Sequence, residues 1–316
     1  LTATIVLISI LQKIVKNRDE RIWFAGLIII AANAGGAFSP IGDVTTTMLW
    51  IGDKVSTGKL FLYLFIPSLL CMVVPSFIAS FLKPFQGTIE TDDAEDASGK
   101  QGKHSAIMLY LGLGAIVFVP VFKTITHLPP YMGILLGLGV LWTVTEIMHR
   151  SKNKADKSKL SVLGVLQKVD TPSVLFFLGI LAAVGSLQSA GHLRVMAQFL
   201  NDTIGNMYAI NMVIGLLSSI VDNVPLVAGA MGMYDLLPAT AEAVPGIAYP
   251  VDHSFWEFLA YCAGTGGSCL IIGSAAGVAV MGILNIDFLW NMKKISWLAL
   301  IGYVAGAFTF IAMDIF

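Results

Sequence analysis

Two acidic residues stand where a strongly apolar chain breaks. Asp43 lies within residues 33–47, NAGGAFSPIGDVTTT, a polar and glycine-rich stretch between the apolar runs 22–32 and 48–51. Asp222 opens Asp222-Asn223-Val224-Pro225 inside the apolar segment 207–233. A carboxylate at membrane depth costs ~2.5 kcal/mol or more, so it normally lines a pathway and has partners. Non-helical backbone at that depth survives only where protein or a water-filled cavity satisfies its polar groups. The freed carbonyls of such breaks, with the oxygens of Ser39, Thr45, Thr46, Asn223, Thr265 and Ser268, form a set of hard ligands suited to a cation such as Na+. A carboxylate taken partly out of water can hold either a proton or a cation near neutral pH. Mutual exclusion at one acid is enough to couple two opposed ion fluxes. A plainer role for Asp43 is to cap the half-helix that begins at Val44, and the two roles are compatible.

Other candidates carry less. Asp170-Thr171-Pro172 reads equally as an N-cap with proline in the first turn of a span and as a polar site. Glu146 either lies within a span or reaches the basic loop through Arg150, and the five histidines fall near segment ends. Glu257 and Asp287 are weaker candidates again. Cys71, Cys262 and Cys269 show no paired spacing and no histidine neighbour, which fits buried apolar residues rather than metal ligands or disulfides. The sequence holds no phosphate-binding glycine loop, no Gly-x-Ser-x-Gly and no metal-ligand cluster. Neither ATP-driven pumping nor enzyme chemistry is indicated, and no cofactor is implied.

The elements that must position these residues are membrane helices. The chain is 56% hydrophobic and only 12% charged, against ~25% charged in soluble domains, and lipid is its surrounding medium. The ten-residue alternating segments of a β-barrel are missing from it. In order, residues 1–11 are too short to cross, 13–21 form a basic turn, and 22–51 span with the break in their middle. Pro67 and Pro75 predict kinks in a span over 59–82, and 83–103 is a polar loop. Spans follow at 105–122 and 131–148, then a basic stretch and an interfacial helix over 160–169. After a span at 171–187, an amphipathic interfacial helix is read over 191–203. The segment 207–233 is broken at Asp222, 235–252 is a loop, 253–283 is a span broken at 264–268, and 295–315 is the last span.

Sliding the chain on itself by 231 residues superposes Ala32, Gly35, Gly36, Ile41 and Gly42 on Ala263, Gly266, Gly267, Ile272 and Gly273. Interrupted segments in matching positions of two halves point to a transporter's binding site. The predicted fold is therefore an all-α polytopic membrane protein, an inverted-repeat transporter with re-entrant hairpins and two broken transmembrane helices. Residues 1–82 are assigned to the first repeat and 83–104 to a cytoplasmic loop. Residues 105–316 form the second repeat, with its hairpin at 207–234 and its broken helix at 253–283. With 13–21 in the cytoplasm and a re-entrant hairpin, five crossings separate the two broken segments, so they run oppositely. Fifteen Lys and Arg then lie inside, and four (Lys54, Lys59, Lys123 and Arg194) lie outside. The same symmetry puts a first hairpin tip at or just before Leu1, so segments before the first residue are expected.

On these residues the chain strongly resembles the NhaD-type sodium/proton antiporters of the ion transporter superfamily. The matching stretches are AANAGGAFSPIGDVTTTMLWIGD, VDTPSVLFFLGILAAVG, SSIVDNVPLVAGAMGMY and GTGGSCLIIGSAAGVAVMG. The resemblance implies exchange of Na+, often Li+ as well, for H+ by alternating access, in sodium extrusion and pH homeostasis. Carried over by position, it implies functional roles for Asp43, Thr45, Asp170, Thr171, Asp222 and Asn223. It puts Na+ at Asp43, Asp222 and Asn223. Gly35, Gly36, Ser39, Thr46, Thr265, Gly266, Gly267 and Ser268 support the site. A bacterial inner membrane and a homodimer follow by analogy. The rival within the superfamily is a carrier of arsenite, citrate or dicarboxylates, although an acid at the hairpin tip repels such anions.

Overall fold

The computed structural model describes residues 2–86, 103–148 and 171–316. They form fourteen α-helices. First come α1 (Thr2–Ile14), α2 (Arg18–Ala37), α3 (Val44–Ile51) and α4 (Thr57–Ala79), followed by α5 (Lys103–Thr126) and α6 (Pro130–Met148). Then come α7 (Thr171–Ser189), α8 (His192–Ile204), α9 (Met207–Leu217) and α10 (Asn223–Met233). The chain ends with α11 (Ser254–Gly266), α12 (Ala275–Leu284), α13 (Phe288–Lys294) and α14 (Ser296–Ile315). Among the described residues, four helices are long and apolar enough to cross a membrane, or up to six if each of two bent pairs is one span. This is an all-α polytopic membrane protein. The interfacial helix read over 160–169 and Asp170 lie outside the described residues.

Two compact units are present, one built from Leu1–Ala94 with Leu181–Phe316 and the other from Glu95–Ile180. In the second, α5 and α6 are antiparallel, with Gly137 against Ala115 and Gly133 against Phe122. Small residues let apolar helices approach where no water drives them together. The first unit uses the same device. Gly302 and Gly306 of α14 lie against the backbone carbonyls of Cys71 and Pro67 in α4. Pro67 and Pro75, predicted to kink this span, are buried within a helix that runs unbroken for 23 residues. The carbonyl that Pro75 strips of its helical donor is that of Cys71, and it faces Gly302.

Both predicted breaks exist, each shifted from its expected bounds. Helix α2 continues through Asn33, Gly35 and Gly36 to Ala37, and α3 already contains Thr45, so the first break is only 38–43. The second runs over 267–274, later than the expected 264–268, because Gly264 to Gly266 complete the last turn of α11. The hairpin between α9 and α10 turns at 218–222, with Asn223 to Pro225 in the first turn of α10. Glycine lowers helix propensity without forbidding helix, whereas a proline and a side-chain cap fix where a break falls. The loop predicted over 235–252 contains a short parallel ladder of β1 (Asp235–Leu237) and β2 (Ala248–Pro250).

The 231-residue offset reappears in the backbone. The Gly42 N–H donates to the Ser39 carbonyl at 3.0 Å, and the Gly273 N–H donates to the Leu270 carbonyl at 3.0 Å. The residue capping the following half-helix has φ −138° and ψ 153° at Asp43, and φ −141° and ψ 147° at Ser274. Packing is reciprocal as well, since α1 lies on α12 while α10 lies on α3. One apolar cluster joins Ile8, Ile22 and Ile29 to Val280 and Leu284, and another joins Ile30 and Ala79 to Leu298 and Ala299. An exchange of partners between halves is the mark of a twofold-related repeat.

Candidate functional site

At the first break the chain ends α2, makes a tight turn and restarts as α3. Pro40 cannot donate to a helix ladder, and Gly36 and Gly42 let the two limbs touch. A Cβ on Gly42 would lie 2.5 Å from the Gly36 carbonyl oxygen. The hydroxyl run then satisfies the freed carbonyls: Thr46 donates to Ala37 at 3.4 Å, and Thr47 donates to Pro40 at 2.8 Å. This is how irregular backbone is kept at membrane depth without exposing bare carbonyls. Ser39 is used within the turn, where its Oγ accepts from the Ile41 N–H at 3.5 Å.

Asp43 caps α3, as its spacing suggested, and also gathers partners from a distant segment. Its Oδ1 accepts from the Val44 N–H at 2.8 Å. Its Oδ2 accepts from Thr45 Oγ1 at 2.7 Å and from Asn223 Nδ2 at 3.1 Å. Asn223 comes from the hairpin tip, 180 residues along the chain, and is buried, as is Thr45. Asp222, half-buried beside it, interacts electrostatically with the Asp43 carboxylate. The structure therefore brings together Asp43, Thr45, Asp222 and Asn223. Thr171, at the start of α7 and exposed, belongs to the other unit.

The second break is the same construction with neutral chemistry. The offset pairs Asp43 with Ser274 and Asn33 with Gly264. Asn33 Nδ2 donates to Ser274 Oγ at 3.0 Å and to Ser268 Oγ at 2.8 Å. In the other half, a Cβ on Gly264 would lie 3.8 Å from Asp43 Oδ2 and 3.2 Å from the Ala37 Cβ. The same position of each broken helix thus faces the cap of the other. Where one half has amide against hydroxyl, the other has bare glycine beside a carboxylate, and that carboxylate takes its amide donor from Asn223 of the hairpin. Gly266 packs on the Gly215 carbonyl of α9, and Gly267 packs on Gly273. Thr265 donates to the Tyr261 carbonyl within its own helix at 2.6 Å. Gly35 has open space around it.

Asn33, Gly42, Gly264 and Ser274 escaped the candidate set. The offset that aligned the glycines also pairs Asp43 with Ser274, and that was the signal for them. Replacing Asn33 by leucine removes both bonds to the serines and is expected to cost ~1–3 kcal/mol, the range for stranded buried polar groups. Thermal unfolding of the purified protein in detergent checks this, and an unchanged midpoint would show that the two bonds carry no weight.

Among the described residues, no three His, Cys, Asp or Glu side chains converge as metal ligands. The Asp43 set is instead two carboxylates with one amide and one hydroxyl. Both side-chain donors on Oδ2 are reversible. The threonine oxygen has lone pairs for a cation, and the asparagine amide presents an oxygen when it turns over. Atoms that neutralise the carboxylate by hydrogen bonds can thus become oxygen ligands. Two neighbouring carboxylates repel, and either one proton or one cation relieves that repulsion.

Residues 1–251 match the family model described as a citrate transporter, CitMHS. The chain is similar to sodium/proton antiporter 1 of Arabidopsis thaliana, 47% identical over 313 residues, which is 99% of this chain and 52% of that protein. With sodium/proton antiporter 2 of the same plant it shares 43% identity over 321 residues, 100% of this chain and 73% of the relative. With the Na+/H+ antiporter NhaD of Vibrio cholerae it shares 32% identity over 332 residues, 97% and 65% respectively. The chain therefore spans about half to three quarters of the length of these curated relatives.

Proposed function

The chain belongs to the CitMHS family and to the NhaD-type sodium/proton antiporters, and from that premise we propose that it exchanges Na+ for H+ across a membrane by alternating access. The observation that carries this reading is the crowded Asp43 carboxylate, which accepts from Thr45 and Asn223 and stands beside Asp222. In one state the cation takes Asp43, Asp222 and Asn223 as ligands, with Thr45 turned to offer its oxygen. In the other, a proton on the carboxyl pair replaces the cation. Because both cannot be held at once, the passage of one ion sends the other back. Asp170 and Thr171 are proposed as functional residues on the family's pattern alone.

The family model's description raises citrate as cargo. The site opposes it: two carboxylates at the meeting of hairpin and break would repel a tricarboxylate, whereas they attract a cation. The two halves of the first unit are taken to be inverted, which places Lys54 and Lys59 outside and the basic turn at 13–21 inside. A bacterial inner membrane draws support from the Vibrio relative, but the Arabidopsis relatives are more similar. We therefore propose only a bilayer that holds a proton gradient. A second copy as partner rests on analogy.

Everted vesicles carrying the protein test the reading. Added Na+ should collapse an imposed pH gradient, and citrate or arsenite should not be taken up. A flux of either anion without a Na+ response would overturn the assignment.

A further inference from the structure

One ionisable side chain is buried in the same unit and has no part in the site just described. Glu257, in the first turn of α11, is 2% exposed, and its Oε1 is buried without a hydrogen-bond partner. The helix around it is sealed: Phe255, Trp256, Phe258 and Leu259 are all 0% exposed. A glutamate in such a place is costly unless its charge or its proton is put to use. The charged groups acting on it come from three other segments: Lys59 on α4, Asp252 in the loop before α11, and Asp314 near the end of α14. Asp314 is in turn bonded by the Tyr208 hydroxyl of α9 at 2.6 Å. This end of the unit is polar. Asp252 Oδ1 accepts from the Ser56 N–H, its own N–H donates to the Lys54 carbonyl at 2.9 Å, and His253 caps the helix through Nδ1 at 3.0 Å.

Geometry ties Glu257 to the cation site. Gly264, where a Cβ would lie 3.8 Å from Asp43 Oδ2, is seven residues further along α11. Seven residues make nearly two full turns, so Glu257 and Gly264 share one face about 10 Å apart along the axis. The glutamate thus stands on that face between the polar helix end and Asp43.

We propose that Glu257 is a second proton-carrying carboxyl of this protein, which passes protons between the aqueous end marked by Lys59, Asp252 and Asp314 and the Asp43 site. The proposal rests on the exchange reading given above. A proton from bulk water adds to the Glu257 carboxylate and gives a neutral carboxyl. When the cation leaves Asp43, water admitted to the open side relays that proton inward. The O–H bond on Glu257 breaks as one forms at the site, and Glu257 is a carboxylate again. No electrons are exchanged. The competing role is structural, a negative group placed favourably near a helix N-terminus and Lys59.

The test is the pH profile of Na+-driven gradient collapse in vesicles. Glu257→Gln keeps the shape and loses the proton. It is expected to leave the Na+ concentration for half response unchanged near the optimum. It is also expected to move the alkaline limb of the profile to lower pH, because a proton carrier that would still be loaded there is lost. Glu257→Asp, which keeps a titratable group, should restore most of the limb. A Gln profile superimposed on that of the unmodified protein overturns the proposal, and so does an Asp variant no better than Gln. Should the Gln variant fail to accumulate, infrared difference spectra of the unmodified protein decide the matter. A carboxyl band that titrates within the working pH range and shifts in Glu257→Asp supports the proposal, and its absence overturns it. If the unmodified protein shows no Na+ response at all, it is the exchange reading that fails.

Discussion

Asp43→Asn is expected to abolish Na+-driven collapse of the pH gradient while leaving the fold in place. Asparagine keeps the outline of the side chain, and its oxygen can still accept the Val44 N–H that closes the cap. What it loses is the charge that makes cation and proton alternatives. Removing even an outer partner of a bound ion costs ~10–100-fold, so losing a ligand's charge is expected to cost ~100-fold or more. The measurement pairs initial rates of collapse with the thermal midpoint of the purified variant. A normal midpoint with lost transport places the effect in the chemistry. Retained exchange would reduce Asp43 to a cap, with its bonds to Thr45 and Asn223 serving only to dock the hairpin.

Gly42→Ala is expected to damage transport as severely without touching a ligand. The added Cβ would meet the Gly36 carbonyl oxygen at 2.5 Å, its Cα at 2.7 Å and its carbonyl carbon at 2.9 Å. All three belong to the backbone of the last turn of α2, so no rotamer change relieves the contact. The limbs of the break must part, and Asp43, the next residue, moves with them. Overpacking of this kind typically costs ~1–3 kcal/mol, to be read as a lower thermal midpoint together with lost gradient collapse. Gly35→Ala is the control, because nothing stands within 4 Å of the position a Cβ would take. Its midpoint should hold or rise slightly, since alanine favours a helix more than glycine does. Equal damage from both substitutions would show that the close approach at Gly42 is not what matters.

Much of the site could be read from residue order, with clear limits. Asp43 was visible because a lone acid in an apolar stretch has few uses, and Asp222 for the same reason. Thr45 followed from its nearness to Asp43. Asn33 and Ser274 went unnoticed because neither is costly by itself: an amide at a helix end and a serine before a half-helix are ordinary. Only their bond, across 241 residues, makes them a pair. The breaks were placed too early or too wide because glycine was taken as the marker. The chain tolerates Gly35 and Gly36 in α2 and Gly264 to Gly266 in α11, and at Gly36, Gly264 and Gly266 the missing side chain serves packing rather than bending. Pro67 and Pro75 leave α4 unbroken, and the freed carbonyl of Cys71 is covered by α14.

The sequence by itself determined the medium, the helical class, the two interruptions, and the acids at the first of them and at the hairpin tip. Hydropathy, charge cost and a 231-residue internal match are properties of residue order alone. It also contained the offset that relates Asp43 to Ser274, although nothing in residue order says which of two related caps meets which partner. The tertiary structure decided that. Crossing the broken helices sets position 264 of one half beside the Asp43 cap of the other, and position 33 beside Ser274. The hairpin tip then brings Asn223 to the carboxylate. A carboxylate's chemistry depends on what fills the few ångströms around it, and here Val44 and Thr45 are joined by neighbours from segments about two hundred residues away.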